Sequence, residues 1–152
     1  MHQPPRRILF PFVGDAVART TLDAALRLAR AEGATLVPVY VATLPLDKAL
    51  ENAAPEAHER ARPTLELIEQ RARRLKVPVE PRVEVGRTAR HVLHELIGRE
   101  PTDRIVVPAA TTSSDGFSPE DVGWLLDQGS EEIVVLRPEI GPAPDQPSSR
   151  SR

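Results

Sequence analysis

The sequence of 152 residues contains no cysteine, which excludes disulfides, thiolate nucleophiles and thiolate-held metals. Aromatic residues make up 3%, so the core must be built from Val, Leu, Ile and Ala, and few rings remain to stack on bases. The formal net charge is −2, so bulk charge favours neither a nucleic-acid nor a membrane partner. No apolar run reaches the roughly 20 residues that cross a bilayer. The opening MHQPPRR leads into only a short apolar run with no small-residue cleavage pattern, so no secretory signal is expected and the expected location is cytoplasmic. The length suits one domain, which buries about two-thirds of its unfolded surface and needs no staple.

What is present is a repeating alternation of apolar runs and helical patterns. RRILFPFV, GDAVARTTLDAALRLARAEG and ATLVPVYV read as strand, amphipathic helix and strand, a βαβ unit that implies a parallel sheet. The first strand is predicted over 7–13, with Pro11 tolerated by a bulge near its end. The first helix is predicted over 15–32, with Asp15 as a candidate N-cap, Leu22, Ala25, Leu26 and Ala29 as its apolar stripe, and Gly33 ending it. A second strand over 35–41 leads through a long connection to a helix over 55–76, in which Pro63 marks a kink or the true start. A third strand over 77–85 precedes Gly86, which opens a helix over 87–99 with Ala89, Val92, Leu93, Leu96 and Ile97 on one face. The fourth strand is predicted over 104–107, and a polar loop follows over 108–117. Ser118 as N-cap, Pro119 at the first helical position and acidic Glu120 and Asp121 then announce a helix running to about Gln128. The fifth strand is predicted over 132–137. Residues 1–5 and the Pro- and Ser-rich 139–152 are expected to be disordered tails flanking a domain over 6–138.

Five strands and four helices in this order predict a three-layer α/β/α sandwich around a parallel sheet of order 3-2-1-4-5. Ligand crevices in such sheets lie beyond the carboxyl ends of the strands at the switch point. Here that is between the first and fourth strands. The candidate crevice residues are Val13, Gly14, Asp15, Val41, Pro108, Thr111, Thr112, Ser113 and Ser114. The four consecutive hydroxyls could cradle an anion or polar ligand or be modified. The plainer expectation for them is a solvated loop.

RILFPFVGD, TLDAALRLARAEGATLVPVYV, VEVGRTARHVLHEL and DRIVVPAATTSS leading to EEIVVLRP together resemble the universal stress protein family, within the adenine-nucleotide α-hydrolase-like group. The resemblance covers 7–138 and implies a stress-response module that is not an enzyme. ATP-binding members carry an Asp at the end of the first strand, where this chain has Val13. They also carry G-x-x-G, nine residues and then G-S or G-T after the fourth strand. Here the first two glycines fall at Pro108 and Thr111, and the final pair at Asp121 and Val122, or one earlier at Glu120 and Asp121. Glycine lets backbone N–H groups approach a phosphate, proline removes a donor, and carboxylates at a helix start repel the anion. Tight ATP binding is therefore not expected and no cofactor is assigned. The alternative is an AMP- or ATP-binding member with a diverged phosphate loop, in which the Val41 backbone would meet the adenine. A third reading, an enzyme of the wider group, needs a positive side chain at a phosphate loop, whereas Arg104 precedes the fourth strand and lies at the wrong end of the sheet.

Other candidate features have plain explanations. His91 and His94 have metal-ligand spacing but no third ligand nearby in sequence, so no metal is assigned. His2 and His58 fall in an end segment and on a surface helix. Arg71, Arg73, Arg74 and Lys76 could meet an acidic partner, but Glu66 and Glu69 beside them predict salt bridging along the helix. Trp124, with Val122, Leu125 and Leu126, reads as core packing or as part of a subunit interface. Ile133, Val134, Val135 and Leu136 form an uncharged apolar run on the edge strand. An exposed edge invites pairing with a second chain, and family members often dimerise through this strand. A homodimer is expected, with further protein partners unidentified.

Overall fold

The first, second and fourth strands are apolar on both faces because helices cover both faces of the sheet. The computed structural model describes residues 6–14, 17–47, 49, 53–100, 102–110, 116–128 and 131–137. Its elements are β1 (Arg7–Val13), α1 (Arg19–Glu32), β2 (Thr35–Thr43), α2 (Ala54–Leu75), β3 (Arg82–Gly86), α3 (Ala89–Arg99), β4 (Arg104–Pro108), α4 (Pro119–Leu126) and β5 (Glu132–Leu136). The five strands are parallel and ordered β3-β2-β1-β4-β5, as predicted. One face packs Ile8, Phe10, Phe12, Leu36, Tyr40 and Val106 against Leu22 and Leu26 of α1 and Ile68 and Ala72 of α2. The other packs Leu9, Val39, Ile105 and Val107 against Val92, Leu93 and Leu96 of α3 and Leu125 of α4.

Prolines account for several of the differences from expectation. Pro11 needs no bulge, since β1 pairs with β2 without a break from Arg7↔Thr35 to Val13↔Val41. The Arg7 carbonyl accepts from the Asp103 N–H on the β4 side. Alternate residues share that side, so Pro11 also faces β4. The β4 ladder covers only Ile8 and Leu9 and has ended before Pro11. Pro38 likewise faces β3, between an isolated Leu36↔Val79 bridge and the ladder that starts at Val39↔Arg82. β3 begins at Arg82 rather than residue 77, because Pro78 and Pro81 cannot donate to a ladder. α2 starts at Ala54 and continues through Pro63. Pro63 is exposed, so the Glu59 carbonyl it leaves without a helical donor can be hydrated.

Caps and strand pairing account for the other differences. α1 begins at Arg19 with Ala18 as its N-cap and no side-chain cap, four residues later than expected; Asp15 lies outside the described residues. Gly86 ends β3, and Thr88 caps α3 by accepting a hydrogen bond from the His91 N–H at 3.0 Å. β2 runs two residues further than expected, to Thr43, because β3 pairs with it through Thr43↔Gly86. β5 ends at Leu136, opposite the last residue of β4. α1 ends at Gly33 in the left-handed conformation, φ 61°, as its sequence implies, and α2 ends the same way at Lys76, φ 58°.

The amino-terminal end of the sheet carries a belt of ion pairs. Arg7, Arg82 and Arg104 are the first residues of β1, β3 and β4. Arg7 pairs with Glu80 at 2.8 Å and Glu100 at 3.4 Å, and its N–H donates to Asp103 Oδ2 at 2.8 Å. Arg82 grips both Glu100 oxygens at 2.7 and 3.0 Å. Arg104 joins Glu32 to Glu132, and further along β3, level with Val41, Glu84 pairs with Arg99 at 2.8 Å. The Arg82 hydrogen bonds hold the Glu100 carboxyl below its ordinary pKa, helped by the Arg82, Arg7 and Arg99 charges and against the cost of desolvation. A carboxylate with a lowered folded pKa stabilises fully above its unfolded value, and loses that contribution as pH falls through the folded one. Glu100→Gln is therefore expected to lower the urea midpoint at pH 7, with the gap to the parent protein closing as pH drops below the ordinary value of about 4.5. A gap that stays constant down to about pH 3 would count against this pairing.

Candidate functional site

Strand register brings part of the expected crevice together. Val13 stands opposite Val41 on β2, and the offset between β1 and β4, Ile8↔Arg104, carries Val13 to the level of Ala109. Gly14 follows with φ 87°, a left-handed turn that glycine makes without steric cost. Pro108 closes β4 at the same rim. Asp15, Thr111, Thr112, Ser113 and Ser114 lie outside the described residues.

The backbone around the loop after β4 is already engaged. The Ala109 N–H donates to the Leu136 carbonyl at 2.9 Å, the Ala110 N–H to the Phe117 carbonyl at 2.8 Å, and the Phe117 N–H to the Pro108 carbonyl at 2.9 Å. An isolated bridge joins Ala109 to Phe117, so the two ends of the loop are tied. Phe117 is buried with Val107 and Leu125, with Val122 packed against the same cluster. It was not among the expected site residues. The signal for it was present: an apolar residue just before the N-cap Ser118, and another at the fourth helical position, Val122, which is the spacing of a hydrophobic staple.

The start of α4 carries the expected chemistry. Ser118 Oγ accepts from the Asp121 N–H at 3.1 Å, Pro119 occupies the first turn, and Glu120 and Asp121 sit there too. Arg90 of α3 donates from Nε to Asp121 at 2.7 Å and lies 5.8 Å from the centre of the half-buried Trp124 ring. α4 ends at Leu126, two residues before the expected end, where the Asp127 N–H donates to the Trp124 carbonyl. Trp124 thus packs partly into the core and partly under an arginine.

A second concavity, not anticipated from sequence, lies over the ends of β2 and β3. It is a cleft of about 240 Å³ lined by residues that include Thr43, Pro45, Val85, Glu56 and Arg60. Arg87 donates to the Pro45 carbonyl and so fixes one wall. His91 and His94 are exposed on α3, and among the described residues no three of His, Asp and Glu gather as a metal site. His58 Nδ1 lies 2.8 Å from the Ala54 carbonyl. Among the described residues no helix is long and apolar enough to cross a membrane.

The sequence profile described as Universal stress protein family matches residues 5–115. The chain belongs to the universal stress protein family. Among solved structures it is similar to a protein of that family from Burkholderia pseudomallei, at 25% identity and a TM-score of 0.62, over 86% of this chain and 94% of that one. It also shares its fold with a universal stress protein in complex with cAMP (17% identity, TM-score 0.62, 90% and 100% covered). A family protein from Arabidopsis thaliana with AMP bound has the same fold at 9% identity and a TM-score of 0.58, over 89% and 93% of the two chains. No curated protein matches the chain.

The tied loop makes Gly116 a sensitive position. A Cβ there would meet the Pro108 carbonyl oxygen at 2.5 Å and backbone atoms of Ala109 and Ala110 at 3.0 Å. These are backbone atoms that cannot swing away. Gly116→Ala is expected to cost about 1–3 kcal/mol through overpacking, measured by urea unfolding. A variant as stable as the parent would refute this tight closure of the loop.

Proposed function

We propose that this universal stress protein is a non-catalytic, regulatory stress-response module that works as a cytoplasmic homodimer and does not hold ATP tightly. The observation that carries the reading is the occupied phosphate end of the fold. The N–H groups of Ala109, Ala110 and Phe117 are spent on internal acceptors. At the start of α4 the Ser118 hydroxyl already caps Asp121, and the Glu120 and Asp121 side chains add negative charge. A phosphate arriving there would meet like charge and N–H donors that are already engaged. Val13 stands where ATP-binding members of the family carry an aspartate at the end of the first strand.

The second reading, an AMP- or ATP-binding member with a diverged loop, is favoured by Gly14 at the rim of β1 and by the cAMP and AMP carried by two structures of the same fold. A native mass spectrum of gently purified protein separates the two. The expected species is a dimer at apo mass, and a dimer retaining an adenine nucleotide would establish the second reading instead.

The edge strand supports the dimer. Ile133 packs towards the α3/α4 face and Val134 and Leu136 towards the α1/α2 face, while Val135 remains 39% exposed on an unpaired edge. Val135→Lys is expected to yield folded monomer, read by sedimentation or native mass, because a lysine on an edge strand opposes pairing. Val134→Lys is the harsher change, since it also strikes the core. A folded Val135→Lys dimer of parental affinity would refute this interface.

A further inference from the structure

The basic stretch near the end of α2 is not neutralised along its own helix. Arg71 pairs with neither Glu66 nor Glu69, contrary to the sequence expectation. It crosses to α1 and grips Asp23 through two bonds, Nε to Oδ1 and Nη2 to Oδ2, each 3.0 Å. Beside this pair is a groove of about 220 Å³ between α1 and α2, lined by Asp23, Arg27, Arg71, Arg74 and Leu75. Arg27 and Arg74 are exposed, and among the described residues no ion pair joins either to an acid. Three guanidinium groups thus face one carboxylate, and that carboxylate is already committed to Arg71.

We propose that this groove binds a phosphate dianion, gripped by Arg27 of α1 and Arg74 of α2, with Arg71 held as the back wall by Asp23. Planar guanidinium forks match phosphate oxygens two at a time. Because the free arginines come from different helices, they can approach an anion from two sides. A pre-fixed Arg71 loses little freedom when a ligand arrives. The carboxyl end of α2 opposes an anion with about half an elementary charge, which is small against the charges of Arg27 and Arg74 that remain once Asp23 has neutralised Arg71. Leu75 and the arginine stems give the groove an apolar edge that suits the organic part of a phosphate ester. The site lies on the outer side of two helices, away from the strand ends where the proposed function was argued, so neither reading depends on the other.

The test is NMR titration of the full chain, followed at backbone amides and arginine Nε–H groups, with inorganic phosphate and separately with phenyl phosphate. Saturable shifts confined to the Asp23–Arg27 and Arg71–Leu75 turns are expected. Tighter binding of phenyl phosphate assigns the site to esters, and equal affinity assigns it to free phosphate. R27Q/R74Q, which leaves the Asp23–Arg71 pair intact, should weaken binding at least about tenfold for two lost charge-assisted contacts. Arg74→Gln alone provides a milder variant. Arg73→Gln, whose side chain lines a different cleft with Glu69 and Val79, should bind as the parent does. Shifts that never saturate, or equal binding by the parent and R27Q/R74Q, would overturn the site.

Discussion

Burial of the central strands on both faces is the constraint from which the rest follows. Ile8, Phe10 and Phe12 point to one helical layer and Leu9 to the other, and none of the four is more than 1% exposed. A strand of that kind has no position where a charged side chain could be solvated. Charge is therefore displaced to three places: the two rims of the sheet and the outer surfaces of the helices. The amino-terminal rim holds the paired belt around Arg7, Arg82 and Glu100. The carboxyl rim holds the tied loop after β4 and the acidic start of α4. The outer surface of α1 and α2 holds Arg27 and Arg74, which no ion pair engages among the described residues.

The two rims use their polar groups differently. At the amino-terminal rim, acids and bases meet across elements far apart in sequence, as in Arg7 with Glu100 and Arg104 with Glu32. At the carboxyl rim beside β4, backbone groups bond to one another and the start of α4 is acidic, with Arg90 reaching Asp121, while Arg60 and Arg87 stand by the ends of β2 and β3. Arg90 also connects α3 to α4 through the Trp124 ring, so the acidic helix start is braced from the neighbouring helix.

Sheet order and helix count were legible in the sequence because apolar runs and a 3.6-residue stripe were both unambiguous: Leu22, Ala25, Leu26 and Ala29 are all buried. Boundaries were less so where proline and capping compete with pattern. Val77 and Val79 look like strand, yet Pro78 and Pro81 delay β3 to Arg82. Ala18 caps α1 without a side-chain bond, leaving no residue type to mark the start. The crevice was legible as far as Val13, Gly14, Val41 and Pro108, since topology alone sets where strands end. The belt was not legible, because Arg7 and Glu100 are far apart in sequence and meet only once β1 and β4 have paired. Nor was the arginine groove: Glu69 has helical pairing distance only to Arg73, and Arg71 is taken by Asp23 on another helix.

The partial joining of the two central strands has its own effect. β1 and β4 exchange ladder bonds only where Ile8 and Leu9 meet Arg104 and Ile105, and above that Pro11 has no N–H to extend them. The middle of the sheet is thus a seam fastened at its lower end by ladder and ion pairs, and unstitched above. Above Leu9 and Ile105 these two strands are held together by the side chains they bury in the two helical layers and not by a ladder. The upper seam therefore depends on packing alone, where the neighbouring strand pairs rely on packing and backbone bonds together.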